Sequence, residues 1–294
     1  MNPRGLRFDG KVVVLAGAAT GIGAAAAQRF LDEGASVMVG DRNAVNGGAL
    51  AESLACSGRE GRVAFTEVDV SDEAQVGALI DATVSRFGQI DVMFNNAGFA
   101  GAIGPLVEMD VDHFDETFAV MVRGVFLGIK HAAIAMIRQG WGGSIVNTAS
   151  IGGLAAGVPP LPYSATKSAV VSITQNAAAE LAHHRIRVNA VCPGIIFTDL
   201  MHRGRVAEAQ AVADAIQPWP DRGEPEHVAS AVAYLASDDA AFVTGEAHVV
   251  DGGYLANGLL AVHPLPGGSQ RPTYSGITRG NTGLPAEVRR IASG

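Results

Sequence analysis

Short apolar runs alternate with longer alanine-rich amphipathic stretches along most of the chain. Near-continuous apolar runs rich in valine and isoleucine are typical of parallel strands that are buried on both faces. Seven such runs are predicted as strands: 12–16, 36–40, 62–68, 91–94, 144–149, 185–191 and 247–250. The stretches predicted as helices are 21–33, 44–57, 72–87, 110–139, 162–183 and 225–236. This alternation predicts an α/β fold with one doubly wound parallel sheet of about seven strands and helices on both faces.

Composition narrows the classes of function. Apolar residues make up 48% of the chain and charged residues 17%, which is enough for a sizeable core. The net charge of −8 argues against nucleic acid as a partner, because phosphate binding needs a basic surface. No uninterrupted apolar run approaches 18 residues, so we expect no membrane span. Cys56 and Cys192 give no disulfide framework, which suggests a reducing, cytoplasmic location, and the histidines show no metal-ligand spacing.

A glycine-rich turn, residues 17–23, joins the first predicted strand to the first predicted helix. Gly17 allows a tight turn, Gly21 lets the backbone approach a pyrophosphate, and Gly23 lets the helix pack closely on the sheet. The N-terminus of the helix offers free N–H groups to the phosphates. The position of the motif at the first strand–helix junction predicts a Rossmann-type dinucleotide site that includes Thr20 and Ile22.

The end of the second strand bears on the choice of cofactor. Asp41 follows that strand, where a carboxylate can accept hydrogen bonds from the adenosine ribose hydroxyls and repel a 2′-phosphate. This favours NAD over NADP. Arg42 leaves the alternative open, because a guanidinium can bind a 2′-phosphate. Polar and small residues also end the third and fourth strands, at the edge of the sheet where such folds bind ligands: Asp69, Val70, Asn96, Ala97 and Gly98.

Three residues in the second half of the chain suggest acid–base chemistry. Tyr163 and Lys167 are one helical turn apart, so both side chains point to the same face. A phenol has an ordinary pKa near 10, and an ammonium group one turn away is expected to lower it. The hydroxyl of Ser150, which follows the fifth strand, is placed to hold a substrate oxygen as its charge changes.

These motifs together resemble the single-domain branch of the short-chain dehydrogenase/reductase family. The matching pieces are AGAATGIG, Asp69-Val70, NNAG, Ser150, YSATK, RVNAVCPGIIFTDL and the run that ends in VVDGG, in the family's order over about residues 8–254. The resemblance implies one catalytic domain over residues 1–254. Residues 255–294 are predicted to be an irregular extension, with little periodicity, that covers the site, contacts another subunit or is disordered.

The resemblance also implies a role for each site residue. Tyr163 is expected to exchange a proton with the substrate and to contact the cofactor, Lys167 to bind the nicotinamide ribose and lower the Tyr163 pKa, and Ser150 to orient the substrate oxygen. Adenine is expected to contact Asp69 and Val70. The residues expected to flank the nicotinamide are Pro193, Gly194, Ile196 and Thr198. A homotetramer or dimer is implied, built on helices 110–139 and 162–183 and the last strand.

Two positions depart from the family pattern. Ala16 replaces the first threonine of the glycine motif, which removes a side-chain hydrogen bond. Met121 replaces an asparagine that, in the family, helps to hold a water connecting the catalytic lysine to solvent. A thioether is at best a weak acceptor and cannot donate. Our hypothesis is that a water on backbone carbonyls, or another nearby polar group, rebuilds this relay.

The residues expected to form the substrate pocket are mostly apolar. They come from 151–162, from Phe99 and Ala100, and from 195–220, where Met201 and Trp219 suggest a hydrophobic secondary alcohol or ketone. Arg203 or Arg205 leaves an acidic substrate as an alternative. The main hypothesis is an NAD-dependent alcohol dehydrogenase. The alternatives are an NADPH-dependent biosynthetic ketoreductase and a weakly catalytic cofactor-binding sensor or scaffold, which only Met121 favours.

Overall fold

Seven parallel strands form the central sheet, in the order β3-β2-β1-β4-β5-β6-β7. The computed structural model describes residues 6–56, 58–155, 160–202, 204–257, 274–277 and 287–290. The strands are β1 Val12–Ala16, β2 Ser36–Asp41, β3 Val63–Glu67, β4 Val92–Asn95, β5 Gly143–Thr148, β6 Ile186–Pro193 and β7 Ala247–Val250. The strand order reverses between β1 and β4, which opens a crevice at the carboxyl ends of the strands. The predicted fold class is confirmed.

Helices cover both faces of this sheet. They are α1 Gly21–Asp32, α2 Ala44–Ala55, α3 Glu73–Phe87, α4 Val111–Phe118, α5 Gly124–Gln139, α6 Leu161–Leu181, α7 Asp199–His202, α8 Val206–Ile216, α9 Pro225–Ala236 and α10 Tyr254–Asn257. On one face α1 and α9 bury Phe30 and Val232 against the strands. On the other face α3, α5 and α6 bury Leu79, Met136 and Val170. The pattern of the sequence did not predict α7 and α8, which lie in the segment assigned to the substrate pocket.

The long helix predicted over 110–139 is interrupted. A single π-helical turn, Ala119–Arg123, separates α4 from α5, and Met121 lies in it, fully buried. Turns of this type occur frequently at functional sites. By length and composition alone, the combined helical run Val111–Gln139 is long and apolar enough to cross a membrane. Half of its most apolar stretch, however, is buried inside the protein. A helix that packs against a sheet in a protein core passes the same test.

A chain of buried amides fixes β4, β5 and α6 relative to one another. The side chain of Asn95 donates to Asn147 at 2.8 Å, and Asn147 donates to Thr174 at 2.9 Å. A Cβ at Gly128 would lie 1.9 Å from the Asn95 amide oxygen, so only glycine lets α5 approach this chain so closely. The carboxyl edge of the sheet, where the candidate site lies, is therefore held rigidly.

The last described elements lie in the extension. Strands β8 Tyr274–Ile277 and β9 Glu287–Arg290 pair antiparallel with each other. Two strands thus occur where an irregular extension is predicted, and the division of the chain at residue 254 stays a prediction.

Candidate active site

One cavity of about 870 Å³ opens at the carboxyl edge of the sheet. It brings together residues that are up to 237 positions apart, Gly17 and Tyr254 being the outermost. The predicted cofactor and catalytic residues that line it are Gly17, Thr20, Gly21, Ile22, Asp41, Arg42, Asp69, Val70, Asn96, Ala97, Gly98, Ser150, Tyr163, Lys167, Pro193, Gly194, Ile196 and Thr198. Gly23 lies behind the lining.

The glycine turn has the geometry of a phosphate cradle. Gly17 has a φ of +82°, and a Cβ on it would lie 2.3 Å from the backbone of Ala97. A Cβ on Gly23 would lie 2.3 Å from the carbonyl oxygen of Gly17. Thr20 precedes α1 without capping it through its side chain, so the first N–H groups of the helix are available to an anion. These features fit the pyrophosphate of a dinucleotide.

Asp41 is fixed in place by the backbone of the cradle. Its Oδ2 accepts a hydrogen bond from the amide of Ala19, and its Oδ1 accepts one from the amide of Asn43, both at 2.9 Å. The carboxylate is therefore held at the end of β2, beside the glycine turn. Arg42 lines the same part of the cavity, so the structure retains both groups that bear on NAD and NADP.

Asp69 and Val70 lie at the adjoining wall. The hydroxyl and amide of Ser71 donate to the Asp69 carboxylate at 2.7 and 2.9 Å. The hydrogen bond from the Ser71 hydroxyl is the main cause that lowers the pKa of Asp69. Val70 is buried, and a Cβ on Gly124 would lie 2.8 Å from it, so α5 can approach this wall only through glycine.

Asn96 connects the cradle to the catalytic side of the cavity. Its side chain donates to the carbonyl of Gly17 at 2.6 Å and accepts from the hydroxyl of Thr148 at 2.9 Å. The sequence placed Asn96 at a strand end but did not show its two partners. Gly17 follows β1 and Thr148 ends β5, so both are distant from Asn96 along the chain. A substitution here would loosen both the glycine turn and the end of β5.

Ser150, Tyr163 and Lys167 meet at the opposite end of the cavity. Ser150 begins a short 3₁₀ turn, Ile151–Gly153, and its hydroxyl accepts from the amide of Gly152 at 3.1 Å. The Tyr163 hydroxyl is hydrogen bonded to the Ser150 side chain. Lys167 is buried, with its Nζ 5.5 Å from the centre of the Tyr163 ring. The predicted trio therefore lies together on one wall.

Burial dominates the ionisation of this trio. It raises the pKa of Tyr163, and the hydrogen bond with Ser150 opposes the rise only in part. The predicted lowering of that pKa by Lys167 is not found in the protein alone, where burial has the largest effect and Ser150 is the group that opposes it. Burial also lowers the pKa of Lys167 to about 8. The buried thiol of Cys192, whose pKa burial raises to about 11, stays protonated beside Lys167.

Met121 places a thioether beside this group. A Cβ built on Gly98 would lie 3.7 Å from the Met121 sulfur and 3.8 Å from the Lys167 nitrogen, so both atoms approach the same point. Among the described residues the hydrogen-bond acceptor of Lys167 is the carbonyl oxygen of Thr148, at 2.7 Å. The water relay therefore stays a prediction, and the side chain at position 121 contributes no strong hydrogen-bonding group to it.

The substrate part of the cavity differs from the prediction at several positions. Met201 lines it, but Trp219 does not and is 62% exposed. Arg205 pairs with Glu208 on the exposed side of α8, and Arg203 lies outside the described residues. Tyr254, in α10, lines the cavity although it follows the last predicted strand. Its only signal in the sequence is its place directly after the strand-ending turn Asp251-Gly252-Gly253.

Comparisons with known proteins agree with this geometry. A family model described as enoyl-(acyl carrier protein) reductase matches residues 17–255. Short-chain dehydrogenase reductase 3a of Arabidopsis thaliana is 38% identical, over 85% of this chain and 97% of the relative. The chain belongs to the short-chain dehydrogenase/reductase family. The resemblance inferred from the motifs is confirmed.

Two further members of this family give the chemical class. Cis-4-hydroxycyclohexanecarboxylate dehydrogenase of Sinomonas cyclohexanicum is 42% identical over 86% of this chain and 99% of the relative. The crystal structure of a levodione reductase matches with a TM-score of 0.80 and 36% identity, covering 85% of this chain and 99% of that one. This short-chain dehydrogenase/reductase is thus an oxidoreductase of a family that uses NAD(P) and acts on small hydroxy or keto compounds. Such enzymes are commonly oligomeric.

Proposed function

We propose that the protein is an NAD-dependent dehydrogenase that interconverts a hydrophobic secondary alcohol and its ketone. The observation that carries the proposal is the arrangement of one cavity, with the Ser150–Tyr163–Lys167 trio at one end and the fixed Asp41 carboxylate at the other. The bound nicotinamide supplies the hydride donor or acceptor. The glycine turn would hold the pyrophosphate, and Lys167 would hold the nicotinamide ribose.

The side chains of the trio would move a proton at the substrate oxygen. The raised pKa of Tyr163 keeps the phenol protonated near neutral pH, which suits donation to the oxygen during ketone reduction. Alcohol oxidation needs the phenolate, which the Lys167 ammonium would stabilise from beside the ring. The Ser150 hydroxyl, already hydrogen bonded to Tyr163, would orient the same oxygen.

The lining of the cavity supports a neutral, apolar substrate. Val120, Ile151, Ile195, Met201 and Ile216 all contribute apolar surface to it. Two relatives are named for a hydroxycyclohexanecarboxylate and for levodione, so a ring-bearing alcohol, with and without a carboxylate, is the first class to test. A panel of cyclic, aryl and terpenoid alcohols, with NAD reduction followed by absorbance, tests the proposal. Turnover of none of them, nor of the matching ketones, would favour the sensor or scaffold.

Cofactor preference is expected to follow Asp41. NADH should bind at least roughly tenfold more tightly than NADPH, because a fixed carboxylate repels the 2′-phosphate, and tenfold is about 1.4 kcal/mol. Asp41→Ala should narrow the ratio of the two dissociation constants, measured by fluorescence titration. Arg42→Ala is the matched control and should leave NADH the tighter ligand. Tighter binding of NADPH by the unaltered protein would contradict the assignment and favour the biosynthetic ketoreductase.

We further propose that a water on backbone carbonyls replaces the asparagine relay at Met121. In the π turn the amide of Gly124 donates to the carbonyl of Ala119, five residues back, so the usual helical pairing of the carbonyls is shifted here. If the backbone holds the water, Met121→Asn should change the turnover number by less than about threefold. Met121→Leu, which keeps the position apolar, is the control, and its turnover number should also stay within about threefold of the original. A tenfold or larger gain with asparagine alone would refute the rebuilt relay.

A further inference from the structure

Helices α7 and α8 form one side of the substrate part of the cavity, and we call these two helices the wall. Among the described residues, the wall packs through a small apolar cluster that is separate from the two large cores on the faces of the sheet. The buried members of this cluster are Phe197, Ala209 and Ala213. So small a cluster holds the wall weakly, and its position therefore depends on how its ends are attached. The wall residues that line the cavity are Asp199, Leu200, Met201, Val212 and Ile216.

The chain enters and leaves the wall at one point. Ile196, before α7, and Gly223, after α8, form a parallel bridge, and the amide of Phe197 donates to the carbonyl oxygen of Gly223 at 2.8 Å. A Cβ on Gly223 would clash with the carbonyl oxygen of Ile195, so only glycine lets the two segments approach this closely. We call this junction, residues 195–197 and 222–224, the base of the wall. A change at the base therefore acts on both ends of the wall together.

Arg222 connects the base to a large core. Its guanidinium carbon lies 4.7 Å from the centre of the Phe197 ring, within the range of a cation–π contact. Its Nε donates to the carboxylate of Glu224 at 2.6 Å. Glu224 immediately precedes α9, where Val228 and Val232 are fully buried. One side chain thus links the ring that anchors the wall to a carboxylate at the start of a core helix.

A second arginine–aromatic contact shows what is particular to Arg222. On α3 the guanidinium of Arg86 lies 5.3 Å from the ring centre of Phe87, its neighbour in the chain. That contact joins two residues that the helix already holds together. Arg222 and Phe197 are 25 positions apart and lie at opposite ends of the wall, so their contact closes a loop. Loss of the Arg222 contact should therefore free the wall, whereas loss of the Arg86 contact should not.

The segment that returns from α8 has a second attachment. The amide of Trp219 donates to the carbonyl oxygen of Gly252 at 3.0 Å. The side chain of Gln217 donates to the carbonyl oxygens of Trp219 and Asp221 at 3.1 and 2.8 Å. These hydrogen bonds do not involve Arg222, and they keep the returning segment beside the turn after β7. Loosening the base should therefore shift the wall without unfolding the protein.

We propose that Arg222 is a positioning residue that fixes the wall through Phe197 and Glu224, and thereby sets the width of the substrate part of the cavity. Arg222 is not among the residues that line the cavity, so it acts on a substrate through the wall alone. The proposal adds a determinant of substrate size to the proposed function and rests on it. Attachment of the wall can be measured without turnover, however, so the two can fail separately.

Hydrogen exchange measures this attachment directly. In the cofactor-free protein, Arg222→Leu should raise the exchange rates of the α7 and α8 amides by roughly fivefold, which a cation–π contact and a partly exposed ion pair can supply together. The amides of α3 and α5 should exchange as before. Arg86→Leu is the matched control and should leave the exchange of the wall unchanged. Equal exchange in Arg222→Leu and the original protein, or an equal increase in both variants, would overturn the proposal.

A double-mutant cycle determines whether Arg222 acts through Phe197. Phe197→Leu removes the ring, keeps the position apolar, and should also raise the exchange rates of the wall. In the double variant the increase should fall short of the product of the two single increases by roughly threefold or more, because both substitutions remove the same contact. Increases that simply multiply would mean that the two side chains act independently, and the proposal would be wrong.

The effect on a substrate should be a change in KM rather than in kcat. For a single-ring alcohol that the original protein oxidises, Arg222→Leu should raise KM by roughly threefold or more, while kcat stays within about twofold because the trio is untouched. A two-ring alcohol should be affected less, since it still fills a wider cavity. Arg222→Lys keeps a cation beside Phe197 and Glu224 and should restore KM in part. A uniform loss of kcat with unchanged KM for both alcohols would indicate a purely structural role and overturn the proposal.

Discussion

Replacing Tyr163 by phenylalanine is expected to lower turnover by about a thousandfold, within the range that general acid–base groups contribute. The variant loses the hydroxyl that is hydrogen bonded to Ser150. With it goes the proton that the proposed mechanism supplies to the substrate oxygen. The ring itself remains, and so does the position of Lys167 beside it. NADH should therefore bind within about threefold of its original affinity, since the ring and Lys167 remain and Tyr163 is only one of many residues expected to contact the cofactor. Initial rates and a fluorescence titration measure the two quantities.

Tyr254→Phe is the matched control for this change. Tyr254 lines the same cavity but belongs to α10, far along the chain from Ser150 and Lys167. Unlike Tyr163, it has no lysine or arginine one helical turn away. Its loss of a hydroxyl should alter the Michaelis constant at most, with little change in the turnover number. Undiminished turnover in the Tyr163 variant, or equal losses in both variants, would refute the assignment of Tyr163 as the acid–base group.

The sequence predicted those features that depend on short stretches of chain. The seven strands follow from local apolar runs, and the cradle follows from the spacing of Gly17, Gly21 and Gly23. The shared face of Tyr163 and Lys167 follows in the same way from their one-turn spacing. Each of these inferences uses residues that are neighbours in sequence, so it does not depend on how distant parts of the chain pack.

Features that depend on distant packing were not predictable in this way. The π turn around Met121 lies in a helix that is apolar on several sides, where helical periodicity carries no sign of an inserted residue. The two hydrogen bonds of Asn96 join three strands, and no local pattern encodes them. Trp219 was expected inside the pocket because it is apolar, yet it does not line the cavity and its side chain is largely exposed. The apolar character of a side chain shows that it can be buried, but not where in the fold it packs.

The ionisation of Tyr163 is the most instructive difference between prediction and structure. Sequence spacing shows that a lysine lies one turn away, which favours the phenolate. The structure adds burial, which acts on both groups and in each case disfavours the charged form. The pKa of the phenol is therefore raised and that of the ammonium lowered. Lys167 is thus kept as a buried cation at a cost in stability, which is expected of a group retained for function.

Replacing Lys167 by methionine should separate the stability cost of the buried ammonium from its contribution to catalysis and cofactor binding. Turnover is expected to fall by roughly a hundredfold, the usual loss when a fixed electrostatic group is removed from an active site. Binding of NADH should weaken by about tenfold or more, because the charge-assisted hydrogen bond that we propose between Lys167 and the ribose is lost. Unfolding by urea should nevertheless show no loss of stability. Burying the charge costs on the order of 3 kcal/mol for its lowered pKa, against about 1 kcal/mol for the hydrogen bond to Thr148.

Lys130→Met is the control for loss of a lysine in general. Lys130 lies on α5 with its side chain substantially exposed, and it pairs with Glu73 at 2.6 Å. An exposed pair of this kind contributes little to stability, so turnover, cofactor affinity and unfolding should all stay near the original values. A large loss of stability in the Lys167 variant alone would contradict the view that its burial is costly.

The pH dependence of stability gives the sign of the Lys167 effect. Between about pH 8 and 10.5 the unfolded lysine keeps its proton while the folded one has lost it, so the unfolded state binds more protons there. Stability arising from this group therefore rises with pH across that window, and the penalty is greatest below pH 8. The advantage of Lys167→Met over the original chain should accordingly be largest near neutral pH and shrink towards pH 10.5. Of the other groups, Cys192 is the one whose pKa the Lys167 ammonium itself lowers. A difference between the urea midpoints of the two proteins that stays constant from about pH 7 to 10.5 would show that the pKa of Lys167 is not lowered.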